Sequence, residues 1–457
     1  MVINVVGLTP ALVGPRTPNL QRLAAAGFSR PLQTIFPAVT CSVQASMLTG
    51  QRPVQHGIVG NGWYDRNLAE VQFWKQSNRL IQSEPVYTTA RQRDARHTTA
   101  KLFWWFNMYS TATWSVTPRP SYPADGRKLP DLYSEPASLR DELQAELGRF
   151  PLFNFWGPTA DIRSSTWIAE SAARVWRKHQ PALMLVYLPH LDYDLQRYGG
   201  EGSHVDVALQ AVDRECGRLI DTARESGAEV VVVSEYGINT VRRPVHLNRV
   251  LRESGLLIVR REPLGWETLD AGACRAFAVA DHQAAHVYVR ESSDLPRVKD
   301  LLQKTPGVER VLDRDAQKAI GIDHARSGDL VCVSERDSWF TYYFWLDNAL
   351  APDYARTVDI HRKPGYDPAE LLINPSLRWP RLRVARRLAQ KLLGFRYLMD
   401  VIGLDASIVR GSHGRVPDAS RCETDGPVLI CSSRRAERDD WGVTDIRNLL
   451  LSLQFGG

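Results

Sequence analysis

The apolar residues of this chain gather in short continuous runs, separated by stretches whose apolar positions repeat at helical spacing. Val2-Ile3-Asn4-Val5-Val6 reads as a strand buried on both faces, and Thr17-Pro18 followed by Leu20, Leu23 and Gly27 reads as a capped helix. A second run spans Ala182 to Tyr187. After it, Val205, Ala208, Val212, Cys216, Leu219 and Ala223 share one helix face, and a third run follows at Glu229 to Val233. This alternation predicts an α/β fold with a mainly parallel central sheet flanked by helices.

Between about residues 248 and 335 the rhythm shortens. Strands are expected at 256–260, 276–280, 285–289, 308–312 and 329–333, with a helix near 295–304, which together read as a small inserted α+β cap. A loop-rich insertion is expected from about 63 to 153, where Trp104, Trp105, Pro118, Pro120 and Pro123 interrupt the periodicity. The core would then comprise 1–247 and 336–457, the latter with the C-terminal tail. Residues 378–396 interleave Arg381, Arg383, Arg386, Arg387 and Lys391 with Leu382, Leu388, Leu392 and Leu393. That pattern reads as a surface helix with a solvated basic face, or as a contact for a membrane or polyanion.

Composition narrows the class. A chain of 457 residues, 44% hydrophobic, can bury one large domain or two. No uncharged apolar run reaches about 18 residues, and a strand beginning beside Met1 leaves no room for a signal peptide, so a soluble cytoplasmic protein is expected. The six cysteines are scattered without a Cys-x-x-Cys pair, which indicates neither a zinc knuckle nor a disulfide framework. A net charge of +6 favours anionic partners, and no nucleic-acid-binding motif accompanies it.

The candidate chemistry begins at Ile35–Gly50, where a loop delivers Thr40 to a helix start and Gly50 closes the helix. A hydroxyl there lies beside free backbone N–H groups and the positive helix end, which suits a phosphoryl group; a threonine is equally an ordinary N-cap. The longer pattern is more specific. Phe36-Pro37-Ala38-Val39-Thr40-Cys41-Ser42, then Leu48-Thr49-Gly50, Pro53, His56-Gly57-Ile58-Val59 and Asn61, resembles the nucleophile segment of the type I phosphodiesterase/nucleotide pyrophosphatase family of the alkaline phosphatase superfamily. The resemblance implies an alkaline-phosphatase-like sandwich and a phosphate-containing small-molecule substrate. It makes Thr40 the attacking group that is transiently phosphorylated, and Asn61 a contact for a phosphoryl oxygen. Cys41 lacks the Cys-x-Pro-x-Arg context of sulfatases and reads as a buried helix residue.

The family's two divalent metals, zinc by resemblance, take ligands from the carboxyl ends of the strands. Pro189–Gly199 resembles the segment that supplies an aspartate and, four residues on, a histidine; Asp192 fits the first, and Gln196 stands at the second. Ser234-Glu235-Tyr236-Gly237 resembles the family's Ser-Asp-His-Gly, with a longer carboxylate and a phenol in place of an imidazole. Gly411-Ser412-His413-Gly414 keeps the late histidine, whereas the first strand ends in Val6-Gly7 where the family has Asp-Gly. The resemblance therefore implies a metal site at Asp192, Glu235 and His413 that differs from the family's pair, with one metal, an oxygen-preferring metal or none left open. Further ligand candidates are His190, Asp194, Gln196 and Tyr236, with Asp281, His282 and His286 in one polar cluster and Asp359 and His361 in another; both clusters read equally as structural, through cap contacts in the first and a salt-bridge network in the second.

Arg119, Arg127, Lys128, Arg362 and Lys363 are candidate substrate contacts, set against plain surface charge or an ion-pair network. Phe103-Trp104-Trp105-Phe106 would line a pocket or pack in the core. The functional expectation is metal-assisted hydrolysis of a phosphodiester or phosphoanhydride bond through a covalent intermediate at Thr40. Two alternatives stand beside it: a noncatalytic phosphometabolite-binding or scaffold protein, and a phosphomutase.

Overall fold

Eight hydrogen-bonded strands form the central sheet of the computed structural model, which describes residues 1–124 and 127–456. In chain order they are β1 (Val2–Val5), β2 (Phe28–Pro31), β3 (Thr99–Leu102), β4 (Trp114–Pro118), β5 (Leu132–Glu135), β6 (Leu183–Leu188), β7 (Val231–Val233) and β8 (Val428–Cys431). Across the sheet they lie β2-β8-β7-β1-β6-β3-β4-β5. Strands β7, β1, β6, β3 and β4 are mutually parallel, while β8 and β5 run against their neighbours. The predicted α/β architecture is the one formed.

Alternate residues of the central strands enter two different cores. Ile3, Val5, Met184, Val186 and Val232 pack with helices α1 (Pro18–Ala26), α3 (Ile162–His179) and α5 (Ser203–Glu225). Val2, Leu183, Leu185, Val231 and Val233 pack on the other face with α2 (Thr40–Thr49) and the C-terminal helix Ile446–Phe455. Both faces are apolar because both are covered, which is why the strands read as continuous runs. Each fully buried Val, Ile or Leu adds roughly 1.5–3 kcal/mol.

Strands β3, β4 and β5 lie within residues 63–153, so that stretch is part of the sheet rather than a loop-rich insertion. They have four or five residues each, too few to show a period among the prolines and tryptophans. Residues 276–334 form a second, antiparallel sheet in the order Ala276–Asp281, Ala284–Val289, Leu330–Ser334, Val308–Leu312, backed by the helix Leu295–Gln303.

The basic segment forms α6 (Pro380–Leu392), with α4 (His190–Tyr198) preceding it in the core. Helix α6 fits the solvated-basic-face reading only in part, since Arg381 and Arg386 are exposed. Arg383 and Arg387 turn inward to pair with Asp400, and the leucines turn outward.

Candidate functional site

The carboxyl ends of β1, β6 and β7 meet α2 over one buried polar cluster. Helix α2 buries all ten of its residues and ends at Gly50, whose φ of 69° is the left-handed conformation a glycine accepts without strain. Thr40 is its first residue, following Val39 at the N-cap. Its hydroxyl lies 3.0 Å from the phenol oxygen of Tyr236.

Tyr236 and Glu235 stand just beyond β7, where Ser234 fixes the backbone by donating to the Leu8 carbonyl at 2.6 Å and accepting from Val428 N–H at 2.8 Å. Asp192 lies in the first turn of α4, directly after β6. His413 follows the short strand Gly411–Ser412, which approaches α4 so closely that a Cβ on Gly411 would sit 2.1 Å from the Leu195 carbonyl oxygen.

Amide side chains hold the carboxylates. Asn4 and Gln44 both donate to Glu235 Oε1 at 2.6 Å, and Gln44 accepts from Trp105 N–H at 2.7 Å. Gln196 donates to Asp192 Oδ2 at 2.6 Å and accepts from the Tyr366 hydroxyl at 2.8 Å. Asp281 accepts from Asn61 twice, from N–H at 2.8 Å and Nδ2 at 3.0 Å, while Asn61 Oδ1 takes Cys41 N–H at 3.0 Å. Burial raises Asp192, Glu235 and Asp281 each to about 7.

The aromatic rings form a stack. Tyr236 lies face to face with His413 at a centroid distance of 3.5 Å, His282 covers His413 at 3.6 Å, and Tyr366 covers His282 at 3.7 Å. His413 donates its Nδ1–H to the Ala38 carbonyl at 2.9 Å, which leaves Nε2 with a lone pair 4.0 Å from Asp192 Oδ1. Burial lowers His413 to about 3, and burial with the neighbouring His413 lowers His282 well below the usual histidine range.

The donor set does not fit a pair of metals. A zinc site takes three or four protein nitrogen, sulfur or oxygen ligands. Here the six positions carry Asp192, Glu235 and His413 with an amide, a phenol and the isopropyl group of Val6. Among the described residues no three His, Cys, Asp or Glu side chains converge to hold a metal ion.

The remaining sequence candidates scatter. His286 donates Nε2–H to the Val59 carbonyl at 2.9 Å and accepts from Gly328 N–H at 3.1 Å, so both ring nitrogens are spent on backbone and it is a structural residue, not a ligand. Asp194 pairs with Arg197 at 2.9 Å, and His190 is buried nearby. Lys363 is buried between Asp367 and Glu370 at 2.7 Å each, which corrects the expectation of a substrate contact. Arg362 pairs with Asp353 and Asp359, whereas Lys128 lies near Asp359, Glu370 and the exposed His361. Arg119 and Arg127 are exposed on the loop beyond β4. Phe103 and Trp104 pack in the two cores, and Trp105 stacks near Trp74 at 4.9 Å.

Three members of the cluster were not nominated from sequence: Asn4, Gln44 and Tyr366. Asn4 carried a signal, a lone amide inside an otherwise apolar buried strand.

Comparison with known proteins places this arrangement. A pyrophosphatase/phosphodiesterase of Schizosaccharomyces pombe, itself uncharacterised, is 24% identical over 233 residues, covering 49% of this chain and 41% of that protein. Ectonucleotide pyrophosphatase/phosphodiesterase family member 1 of Mus musculus is 22% identical over 251 residues, covering 52% and 24%. The chain thus matches less than half the length of these relatives.

Two solved structures share the fold along nearly the whole chain. Phosphonoacetate hydrolase from Sinorhizobium meliloti 1021 superposes with a TM-score of 0.63 at 15% identity, covering 99% of this chain and 95% of that one. Human ectonucleotide pyrophosphatase/phosphodiesterase 5 gives 0.59 at 13% identity, covering 99% and 94%. The sequence profile described as type I phosphodiesterase / nucleotide pyrophosphatase matches residues 1–367, and the chain belongs to that family.

Proposed function

We propose that this chain hydrolyses a phosphate ester or phosphoanhydride, with Thr40 as the attacking group. The observation that carries the reading is the placement of the Thr40 hydroxyl at the first residue of α2, 3.0 Å from the Tyr236 hydroxyl and beside an Asn61 fixed by two hydrogen bonds to Asp281. Family membership supports the reaction class.

The chain's own residues supply the following roles. The Thr40 oxygen forms the bond to phosphorus as the leaving oxygen departs, and the Thr40 proton passes to the Tyr236 oxygen. Tyr236 gives up its own proton toward Asp192 Oδ1, 3.5 Å away. Asn61 Nδ2 spends one hydrogen on Asp281 and keeps the second for a nonbridging oxygen, near the positive end of α2. Water then attacks the phosphorus held on Thr40, and the Thr40 oxygen leaves and takes its proton back from Tyr236. Because the donor set does not match the family's two metals, no step runs through them.

A noncatalytic phosphometabolite-binding protein is the second reading. It is favoured by the amide donors already seated on Glu235 and Asp192 and by the burial of Thr40, which is 4% exposed. Turnover of bis-p-nitrophenyl phosphate by the wild-type chain and by Thr40→Ala separates the two. Hydrolysis lost in the variant supports the first; no turnover in the wild type, with phosphate-ester binding that Asn61→Ala abolishes, supports the second.

A further inference from the structure

Helix α6 presents its apolar side to solvent. Its inner arc is Arg383, Val384 and Arg387, with Val384 packed beside Leu377 and Met399 against Val401 and Ile402, and the two arginines paired to Asp400. Leu382 (67% exposed), Leu388 (44%), Leu392 (86%) and Leu393 (73%) occupy the outer arc. At 100° per residue these leucines and Ala385 and Ala389 span a continuous outward stripe. Trp379 (65%) and Phe395 (66%) stand exposed at its two ends. No residue of the helix is buried, so the stripe has no partner within the described chain.

The charge around the stripe identifies what covers it. Residues 378–396 contain seven Lys or Arg and no Asp or Glu. Arg386 borders the stripe and Arg381 lies within it. A second copy of this chain, docked through the same face, would set those cations against others of the same sign. An anionic surface meets both requirements at once, since it pairs with the guanidinium groups while the leucines, Trp379 and Phe395 enter the boundary between headgroups and acyl chains.

We propose that α6 and its flanks form a docking surface for an anionic lipid bilayer, on which the helix lies in the plane of the interface. Inward, the same helix packs through Val384 on the segment containing Val358 and Ala369, and Tyr366 of the polar cluster lies within that stretch. Docking there brings the membrane surface up to an element that helps build the site. The inference is independent of whether the site turns substrate over.

Flotation of the full chain with phosphatidylcholine vesicles, with and without phosphatidylglycerol, tests it. Binding should be at least about tenfold tighter to the anionic vesicles and should weaken as salt is raised. It should be lost in Leu382→Glu/Leu392→Glu/Leu393→Glu and reduced in Arg381→Glu/Arg386→Glu. These side chains are exposed, so thermal unfolding of both variants should match the wild type and exclude misfolding as the cause. Equal binding to neutral and anionic vesicles, or wild-type binding by the leucine variant, would overturn the proposal. So would concentration-dependent dimerisation abolished by the same leucine variant, which would assign the face to a second copy.

Discussion

The phenol oxygen of Tyr236 lies between the hydroxyl of Thr40, at 3.0 Å, and the carboxylate of Asp192, at 3.5 Å, while its ring lies flat on His413. Tyr236 thus connects Thr40, the proposed nucleophile, to Asp192. Tyr236→Phe keeps the ring and removes the connection. Turnover should fall about a hundredfold, the size of a lost proton-transfer partner, with unfolding free energy changed by no more than about 1 kcal/mol. Steady-state kinetics and chemical denaturation of the variant check both.

Asn61 is held in place by Asp281, from the second sheet. Asp281→Ala strands a buried N–H and a buried amide, so stability should drop by about 1–3 kcal/mol, with weaker phosphate-ester binding alongside. Asp281→Asn keeps one acceptor oxygen but turns its NH2 toward the other Asn61 donor, so it should recover only part of the stability, as read by urea denaturation.

Lys363 is closed between Asp367 and Glu370, and Trp156 also donates to Glu370 at 2.5 Å. Removing the ammonium with Lys363→Met leaves two buried carboxylates unpaired. A loss of about 3–5 kcal/mol is expected in denaturant unfolding, against a negligible change for the exposed Arg119→Met.

His56 accepts from Ile58 N–H at 3.1 Å through Nδ1, so Nε2 carries the hydrogen and donates to Ser46 Oγ at 2.9 Å. Burial, with His324 and Arg326 nearby, lowers it to about 3, and the folded chain keeps it neutral where the unfolded chain protonates it. Its contribution is therefore fully present above about pH 6.5 and is lost as pH falls toward 3. Between pH 6.5 and 4 the wild type should lose up to about 3 kcal/mol relative to His56→Asn, measured by urea denaturation across that range.

Much of this fold was legible because both faces of the central strands are buried, which leaves uninterrupted apolar runs such as Leu183–Leu188. Strands β3 to β5, at one side of the sheet, were not, since strands of four or five residues beside Trp104, Trp105 and Pro118 carry no readable period. At the site, Thr40, Asn61, Asp192, Glu235 and His413 could be named from motif order along the chain. What motif order could not convey is that Asn4 and Gln44 converge on one carboxylate oxygen, because they lie 231 and 191 residues from Glu235. The outward stripe of α6 was ambiguous for a different reason: spacing shows that a helix has two faces, and only tertiary packing shows which one faces in.

The most direct measurement is mass spectrometry of the Thr40-containing peptide after acid quench during bis-p-nitrophenyl phosphate turnover, run beside Thr40→Ala and Tyr236→Phe. A p-nitrophenyl phosphoryl group on Thr40 in the wild type, left after one p-nitrophenolate departs, with turnover absent in Thr40→Ala, is the predicted result. Turnover in Thr40→Ala equal to the wild type, or a wild-type chain that binds the ester and never cleaves it, would contradict the assignment of Thr40 as nucleophile.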